Sequence, residues 1–305
     1  MTETSASKDG FLAPRAQIEL LSVALLDQQR PLVLEIKRLA KSLGLELGWH
    51  YLLDLTWIIR QLDTISGKHI IDAGAGTGIL QWFLAENGAT VYSIDRDSRA
   101  SLPRRFRLRY HARGLRPPDL LPLSSLLRQD LTRPGSMKKR LGRLRGHLTP
   151  LFPRQRAAGN VIIYNQNLAS MDEIPSNSID AIVSISALEH NTPEGLQRVV
   201  TELLRVLKPG APLLATLTAA PNDAWHAPSS GWLYSDSSLR RLFDLGAEAP
   251  SNYSEYPTLM GKLEACAELR ENLANFYFTS ENNGMPWGKW DPQYLPVGVC
   301  KVKEG

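Results

Sequence analysis

One glycine-rich segment, at residues 72–78, constrains the fold of this chain more than any other part of the sequence. It reads DAGAGTG and follows the short apolar run at 69–71, and residues 79–87 then return to helical spacing. Glycines let the backbone approach a bound molecule where a Cβ would collide, and the N–H groups at a helix start are free to bind it. The segment therefore predicts a strand, a ligand-binding turn and a helix in succession.

A second strand, predicted over residues 89–95, completes a strand–helix–strand unit with two parallel strands. It ends at Asp95, where a carboxylate can accept hydrogen bonds from both hydroxyls of a ribose. A further helix is predicted over 193–207. Further strands are predicted over 161–166, 179–186, 211–217, 276–280 and 297–302. The pattern indicates an α/β fold that binds an adenosine-containing ligand.

The spacing of the glycines separates two classes of nucleotide ligand. Dinucleotide-binding proteins use Gly-x-Gly-x-x-Gly next to a pyrophosphate. Here the spacing is Gly-x-Gly-x-Gly, and Asp72 stands two residues before Gly74. A carboxylate at that point would repel a pyrophosphate and attract an ammonium group. The turn therefore favours an adenosine ligand with a positively charged amino-acid end over a nicotinamide or flavin dinucleotide.

Four segments resemble, in this order, the motifs of the class I S-adenosylmethionine (SAM)-dependent methyltransferases: residues 72–78, Asp95, residues 174–183 and residues 202–210. The resemblance covers roughly residues 68–220 apart from an insertion. It implies a Rossmann-like, mostly parallel seven-stranded sheet with helices on both faces. An N-terminal helical segment would span 1–66, and the methyltransferase domain 67–305 would carry a basic helical insertion at 101–160.

The resemblance also implies which residues hold SAM. The glycine backbone would contact the cofactor, Asp72 would lie near its amino-acid end, and Asp95 would bind the ribose. The family commonly has an acid after the third strand for the adenine amino group. Here that position is Asn167-Leu168 or, with a different gap, Ser170-Met171; the amide oxygen of Asn167 can still accept that hydrogen bond. The predicted cofactor residues are Asp72, Ala73, Gly74, Ala75, Gly76, Gly78, Asp95, Arg96, Asn167, Leu168 and Ser186.

Three residues are candidates for catalysis. Methyl transfer mainly requires alignment of the acceptor and, for a hydroxyl, removal of its proton. Glu189 and His190 follow the fourth strand at the ligand-binding edge of the sheet, although such a pair usually organises a helix start in similar methyltransferases. His226 lies in an aromatic-rich loop after the fifth strand, which is alternatively a surface loop. No Cys, His or carboxylate spacing indicates a metal site.

Charge is concentrated in the insertion. Residues 101–160 contain 15 Lys and Arg against two acids, whereas the rest of the chain has 20 basic and 29 acidic residues. A stripe of Met137, Leu141, Leu144 and Leu148 has basic residues beside it, a pattern that suits an anionic membrane surface bound through 104–148. A solvated or partner-binding extension is the alternative, and nucleic-acid binding is less favoured because leucines accompany the charges.

The leading interpretation is an enzyme that transfers a methyl group from SAM to an oxygen or nitrogen of a small-molecule, sugar-linked or lipid-linked acceptor. The alternatives are an RNA methyltransferase that uses the basic insertion and a non-catalytic SAM-binding adaptor for a membrane or complex. Two cysteines, a polar first decapeptide and no apolar run of membrane-spanning length predict a cytoplasmic protein. It would be peripheral at the inner face of the membrane if the insertion binds lipid.

Overall fold

The computed structural model describes residues 16–132, 156–271 and 290–305. In these residues a sheet of ten strands forms the centre of the molecule. The strands are β1 (Ala16–Leu20), β2 (His69–Ala73), β3 (Thr90–Asp95), β4 (Arg113–Gly114), β5 (Asn160–Asn165), β6 (Ala181–Ile185), β7 (Pro212–Ala219), β8 (Ala224–His226), β9 (Gly231–Tyr234) and β10 (Leu295–Val302). The helices are α1 (Ala24–Gln28), α2 (Arg30–Leu43), α3 (Tyr51–Gln61), α4 (Leu80–Glu86), α5 (Arg104–Arg109), α6 (Leu123–Thr132), α7 (Pro193–Val206), α8 (Asp236–Phe243) and α9 (Tyr256–Glu264).

The strand order places the ligand-binding edge. The strands run β1-β10-β7-β6-β2-β3-β5-β4, with β9 beside β7 and β8 beside β9. Strands β4, β5, β3, β2, β6, β7 and β9 are parallel, while β10, β1 and β8 join antiparallel. From β2 the chain first builds outward through β3 and β5 and then returns to add β6 and β7 on the other side. Such a switch in order leaves a crevice at the carboxyl ends of the central strands.

The predicted Rossmann-like, mostly parallel sheet is confirmed, but the predicted number of seven strands is wrong. The prediction that the segment from residue 16 onward is helical fails for β1, which pairs antiparallel with β10. Ile18 and Leu20 are buried and alternate with partly exposed neighbours, the period of two expected of a strand. Strands β4, β8 and β9 are only two to four residues long, too short for a periodicity signal. The predicted strand over 276–280 lies outside the described residues.

Helix α3 joins the N-terminal segment to the sheet. Its buried positions face nearly all directions, as its apolar sequence predicts for a core helix. Trp57 is fully buried, and its Nε1 donates a hydrogen bond to Glu19 Oε2 of β1 over 2.7 Å. Gly298 of β10 faces the same indole so closely that a Cβ there would lie 2.4 Å from Trp57 Cε2. The position of α3 is therefore fixed by β1 and β10.

Three arginines in the described part of the basic insertion bind other groups of the protein. Arg107 is buried and donates to the backbone oxygens of Leu102 and Ala100. Arg109 pairs with Glu86, and Arg116 with Asp119 and Glu173. The predicted contact of 104–148 with an anionic membrane surface stays a prediction, and its residues 133–148 lie outside the described residues. Within the parts of the chain that the structure describes, no helix is long and apolar enough to cross a bilayer.

Candidate functional site

A cavity of about 640 Å³ opens at the carboxyl ends of β2, β3 and β6. Its wall contains ten of the eleven predicted cofactor residues: Asp72, Gly74, Ala75, Gly76, Gly78, Asp95, Arg96, Asn167, Leu168 and Ser186. The eleventh, Ala73, is buried within β2. The fold thus gathers on one surface side chains and backbone from the carboxyl ends of four strands, β2, β3, β5 and β6, and from the loops after them.

The glycine turn lies directly after β2, and its shape requires glycine. Gly74 has a φ of +73° and Gly76 a φ of +47°, a region that residues with a Cβ rarely adopt. A Cβ on Gly74 would lie 2.3 Å from the Cβ of Ala187, in the loop after β6. The backbone N–H groups of Gly74 and Ala75 both donate to the carbonyl oxygen of Ile94. The turn is therefore clamped between β3 and the loop after β6.

Asp95 connects the turn to the end of β3. Its Oδ2 accepts a hydrogen bond from Gly76 N and its Oδ1 one from Asp97 N, both 2.8 Å long. Each carboxylate oxygen can accept a second hydrogen bond. The carboxylate is held rigidly at the cavity wall with one acceptor position left on each oxygen, which matches the two vicinal hydroxyls of a ribose.

Asp72, at the end of β2, is a buried carboxyl group beside the glycine turn. The pKa of Asp72 is raised to about 7, mainly by burial; the charge of Arg99 opposes this rise and the charge of Asp95 adds to it. Asp72 therefore loses its proton near neutral pH in the ligand-free protein. A cation that entered the cavity beside it would favour the charged form of the carboxyl group.

Arg99 supports the glycine turn from the side away from the cavity, a role that was not predicted from the sequence. Its guanidinium donates to the hydroxyl and carbonyl oxygens of Ser93 and to the carbonyl oxygen of Tyr164. Ser93 in turn donates to Gln81 Oε1 over 2.7 Å, and Gln81 Nε2 donates to the carbonyl oxygen of Gly78 over 3.0 Å. This buried chain ties the glycine turn to β3, and its one positive charge lies near Asp72 and Asp95.

Two further cavity residues have atoms suited to a ligand. Ser186, directly after β6, has a φ of +41°, and its buried Oγ has no hydrogen-bond partner among the described residues. A strained backbone with an unpaired hydroxyl at a cavity wall is typical of a binding position. Asn167 Oδ1 accepts one hydrogen bond from Ala169 N over 2.9 Å and keeps a second lone pair. Asn167 can therefore accept from an adenine amino group.

The three catalytic candidates occupy different places. His190 lines the cavity, and its Nδ1 lies 2.9 Å from the carbonyl oxygen of Ser230, so that Nδ1 carries the proton and Nε2 the lone pair. Glu189 is buried behind it, and burial raises the pKa of Glu189 to about 7. His226 lies away from the cavity wall, with its Nδ1 2.7 Å from Ser229 Oγ. Thr192, rather than Glu189 or His190, caps helix α7.

The N-terminal segment forms one wall of the cavity, and none of its residues was among the predicted cofactor residues. Tyr51 and Leu55 of α3 and the loop at 44–46 face the glycine turn across it. The only hint in the sequence was the aromatic content of the segment around α3, which is equally expected of a core helix. The cavity is therefore enclosed by a part of the chain that precedes the glycine turn.

Residues 150–215 match the family model described as a methyltransferase domain. The match covers β5, β6 and α7, which follow the glycine turn and Asp95 in the chain. This part of the chain resembles a methyltransferase domain. The cofactor of this family is SAM, and the wall of the cavity fits it. Gly76 leaves room where a Cβ would project, Asp95 offers two acceptors, and Ser186 Oγ is unpaired.

Solved structures resemble this protein at low sequence identity. The YcgJ protein from Bacillus subtilis is 13% identical over 83% of this chain and 98% of its own (TM-score 0.43). The [4+2]-cyclase SpnF is 15% identical over 92% and 95% (TM-score 0.47). Phosphoethanolamine N-methyltransferase 2 from Haemonchus contortus is 14% identical over 92% and 59% (TM-score 0.48). Among the curated proteins none matches the sequence. Likeness at this level says nothing about the methyl acceptor.

Proposed function

We propose that this protein transfers a methyl group from SAM to an oxygen or nitrogen of a small-molecule, sugar-linked or lipid-linked acceptor. The observation that carries the proposal is the hydrogen bond from Gly76 N to Asp95 Oδ2. It fixes the ribose acid and the glycine turn in one rigid unit, next to the buried carboxyl group of Asp72. Such a unit fits an adenosine whose other end carries an ammonium group.

We propose His190 as the group that takes the proton from the acceptor. It lines the same cavity as the glycine turn, and its ring is oriented by the carbonyl oxygen of Ser230. Since Nδ1 donates there, Nε2 holds a free lone pair that can accept a proton. His226 is a weaker candidate because it lies outside the cavity wall.

Calorimetric titration with SAM and with its demethylated product S-adenosylhomocysteine tests the cofactor part of the proposal. Transfer of labelled methyl from SAM into a small-molecule and lipid extract then tests the activity. Both ligands are expected to bind, and the label is expected in a low-molecular-weight or lipid fraction. Binding without any transfer would favour the non-catalytic adaptor, and label in the RNA fraction would favour the RNA methyltransferase.

The pKa of Asp72 predicts a pH dependence of SAM binding. The carboxyl group gains its negative charge as the pH rises through about 7, and the SAM ammonium group binds the charged form better. The amino group of SAM itself loses its proton above about pH 7.8. The affinity should therefore rise about fivefold from pH 6 to pH 7.5 and fall at higher pH.

Asp72→Asn is the matched variant for this measurement, because an amide has nearly the same shape and no charge. Its affinity for SAM is expected to stay flat from pH 6 to pH 7.5 and to keep only the fall above pH 8. Calorimetry at five pH values checks both proteins. If wild-type affinity were the same at pH 6 and pH 7.5, Asp72 would not face the ammonium group.

A further inference from the structure

A buried polar cluster lies immediately behind the cavity wall. Glu189 is 3% exposed, and no described residue donates a hydrogen bond to its Oε2. Asp54 of α3 is fully buried, and its Oδ1 is likewise unpaired among the described residues. The cavity-lining residues Tyr51 and His190 are close in sequence to these two acids. Each of these buried acids thus has an unpaired oxygen and neighbours, along the chain, a residue of the cavity wall.

The charges around Glu189 leave it without a fixed cation. His50 is committed elsewhere, because its Nδ1 lies 2.6 Å from Asp54 Oδ2 in a buried pair. His190 is next to it in the chain, but its Nδ1 faces the carbonyl oxygen of Ser230. No Lys or Arg in the described parts of the chain forms an ion pair with Glu189. A buried carboxylate without a partner is strongly destabilised, so it either keeps a proton or binds a cation.

Aromatic rings surround the same acid. Tyr51, Tyr234 and Tyr294 are each close enough to Glu189 for its charge to add to the effect of burial in raising their pKa values. The hydroxyl of Tyr234 has no partner among the described residues. Trp49 packs on Tyr294 with ring centroids 5.3 Å apart. Ring faces next to a carboxylate are the surroundings in which proteins hold ammonium groups.

We infer that the methyl acceptor is an amine that enters as a cation, with its ammonium group held between the ring of Tyr51 and the carboxylate of Glu189. The inference rests on the proposed function and narrows it from oxygen or nitrogen to nitrogen. Glu189 supplies the negative charge, and Tyr51 forms the part of this site that faces the cavity. Burial raises the pKa of Glu189 to about 7, so the arrival of a cation stabilises its charged form at neutral pH.

The chemistry requires one proton acceptor. The bound ammonium group gives a proton to His190 Nε2, and the freed lone pair of the nitrogen attacks the methyl carbon of SAM. The new N–C bond forms as the C–S bond breaks, and its electron pair stays on sulfur in S-adenosylhomocysteine. The methylated product is again a cation, so the negative charge of Glu189 stabilises the acceptor and the product alike.

Pairs of probes that share a shape but differ in charge test this inference without knowledge of the acceptor. Choline is compared with 3,3-dimethylbutan-1-ol, and benzylammonium with benzyl alcohol, by calorimetry with and without S-adenosylhomocysteine. The cation of each pair is expected to bind at least about tenfold more tightly than its neutral counterpart. In Glu189→Gln this ratio should fall to about one. Glu35→Gln, an exposed acid on α2, should keep the wild-type ratio.

A second pair of variants distinguishes the effect of the Tyr51 ring from a general effect of substitution on folding. Tyr51→Leu should lower the preference for the cation several-fold, while Tyr51→Phe, which keeps the ring face, should retain it. If Glu189→Gln does not fold, the comparison of the two Tyr51 variants still tests whether the cation is bound at this site. The affinity for S-adenosylhomocysteine should be unchanged in Glu189→Gln, because this acid is not part of the glycine turn. If the wild-type protein did not bind S-adenosylhomocysteine at all, that result would contradict the proposed function rather than this inference.

Two results would overturn the inference. The first is that the wild-type protein binds the cations no more tightly than their neutral counterparts, or binds none of the four probes. The second is a preference that survives in both Glu189→Gln and Tyr51→Leu. In either case the carboxyl group of Glu189 would be a protonated structural group.

Discussion

Gly76→Val is expected to lower the affinity for SAM by at least about 100-fold while the protein stays folded. A Cβ at Gly76 has open space, its nearest neighbour being Asp95 Oδ2 at 3.8 Å. A valine at this position therefore does not clash with other atoms of the protein. Its methyl groups instead occupy the cavity at the position where the ribose would bind between the turn and Asp95, and steric overlap of this kind removes most of the binding energy.

Backbone strain must be separated from this steric effect, and the chain offers a matched control. Gly210 has a φ of +76° and nothing within 4 Å of its Cβ position, and it lies outside the cavity wall. Gly210→Val introduces the same kind of strain, about 1–2 kcal/mol, without touching the site. Calorimetry with S-adenosylhomocysteine and thermal melting should show similar melting temperatures for both variants but loss of binding in Gly76→Val alone. Wild-type affinity in Gly76→Val would refute the placement of the cofactor.

The parts of the fold that could be predicted from the sequence are those that depend on residues close together in the chain. Strand β2, the turn, α4 and β3 follow each other within residues 69–95, and the change of period marks each boundary. Strand β1 was missed because it is five residues long and leads directly into Leu21, Leu25 and Leu26, which have helical spacing. Its extended state depends on pairing with β10, at the other end of the chain. No local pattern contains that information.

The same division applies to the site. The glycine turn and Asp95 were predictable because a ligand imposes both residue type and spacing on one continuous segment. Arg99 was not, since an arginine after a strand is usually a solvated residue and only the structure buries it against Ser93 and Tyr164. Tyr51 of α3 and His190 of the loop after β6 line one cavity although they are far apart in the chain. Residues brought together by tertiary structure alone leave no spacing to detect.

Gly298→Ala is expected to destabilise the protein by about 3 kcal/mol, because the added Cβ would overlap the indole of Trp57 in α3. The added Cβ would lie 2.4–2.6 Å from three ring atoms of Trp57, a fully buried indole that also donates a hydrogen bond to Glu19. Overpacking of a rigid core group by one methyl costs about 1–3 kcal/mol, and the contact here is at the severe end. Urea unfolding monitored by circular dichroism measures the change in the free energy of unfolding.

Two comparisons isolate the contact between Trp57 and Gly298. Gly261→Ala, in helix α9 with nothing within 4 Å of the new Cβ, should be neutral or stabilising by up to about 1 kcal/mol. In a Trp57→Leu background the cost of Gly298→Ala should shrink to less than half, since the smaller side chain leaves space for the methyl group. An equal cost in both backgrounds would show that the indole is not the obstacle.

Because α3 also carries Tyr51, displacement of this helix in Gly298→Ala should also affect ligand binding. The preference for choline over its neutral counterpart should weaken more than the binding of S-adenosylhomocysteine.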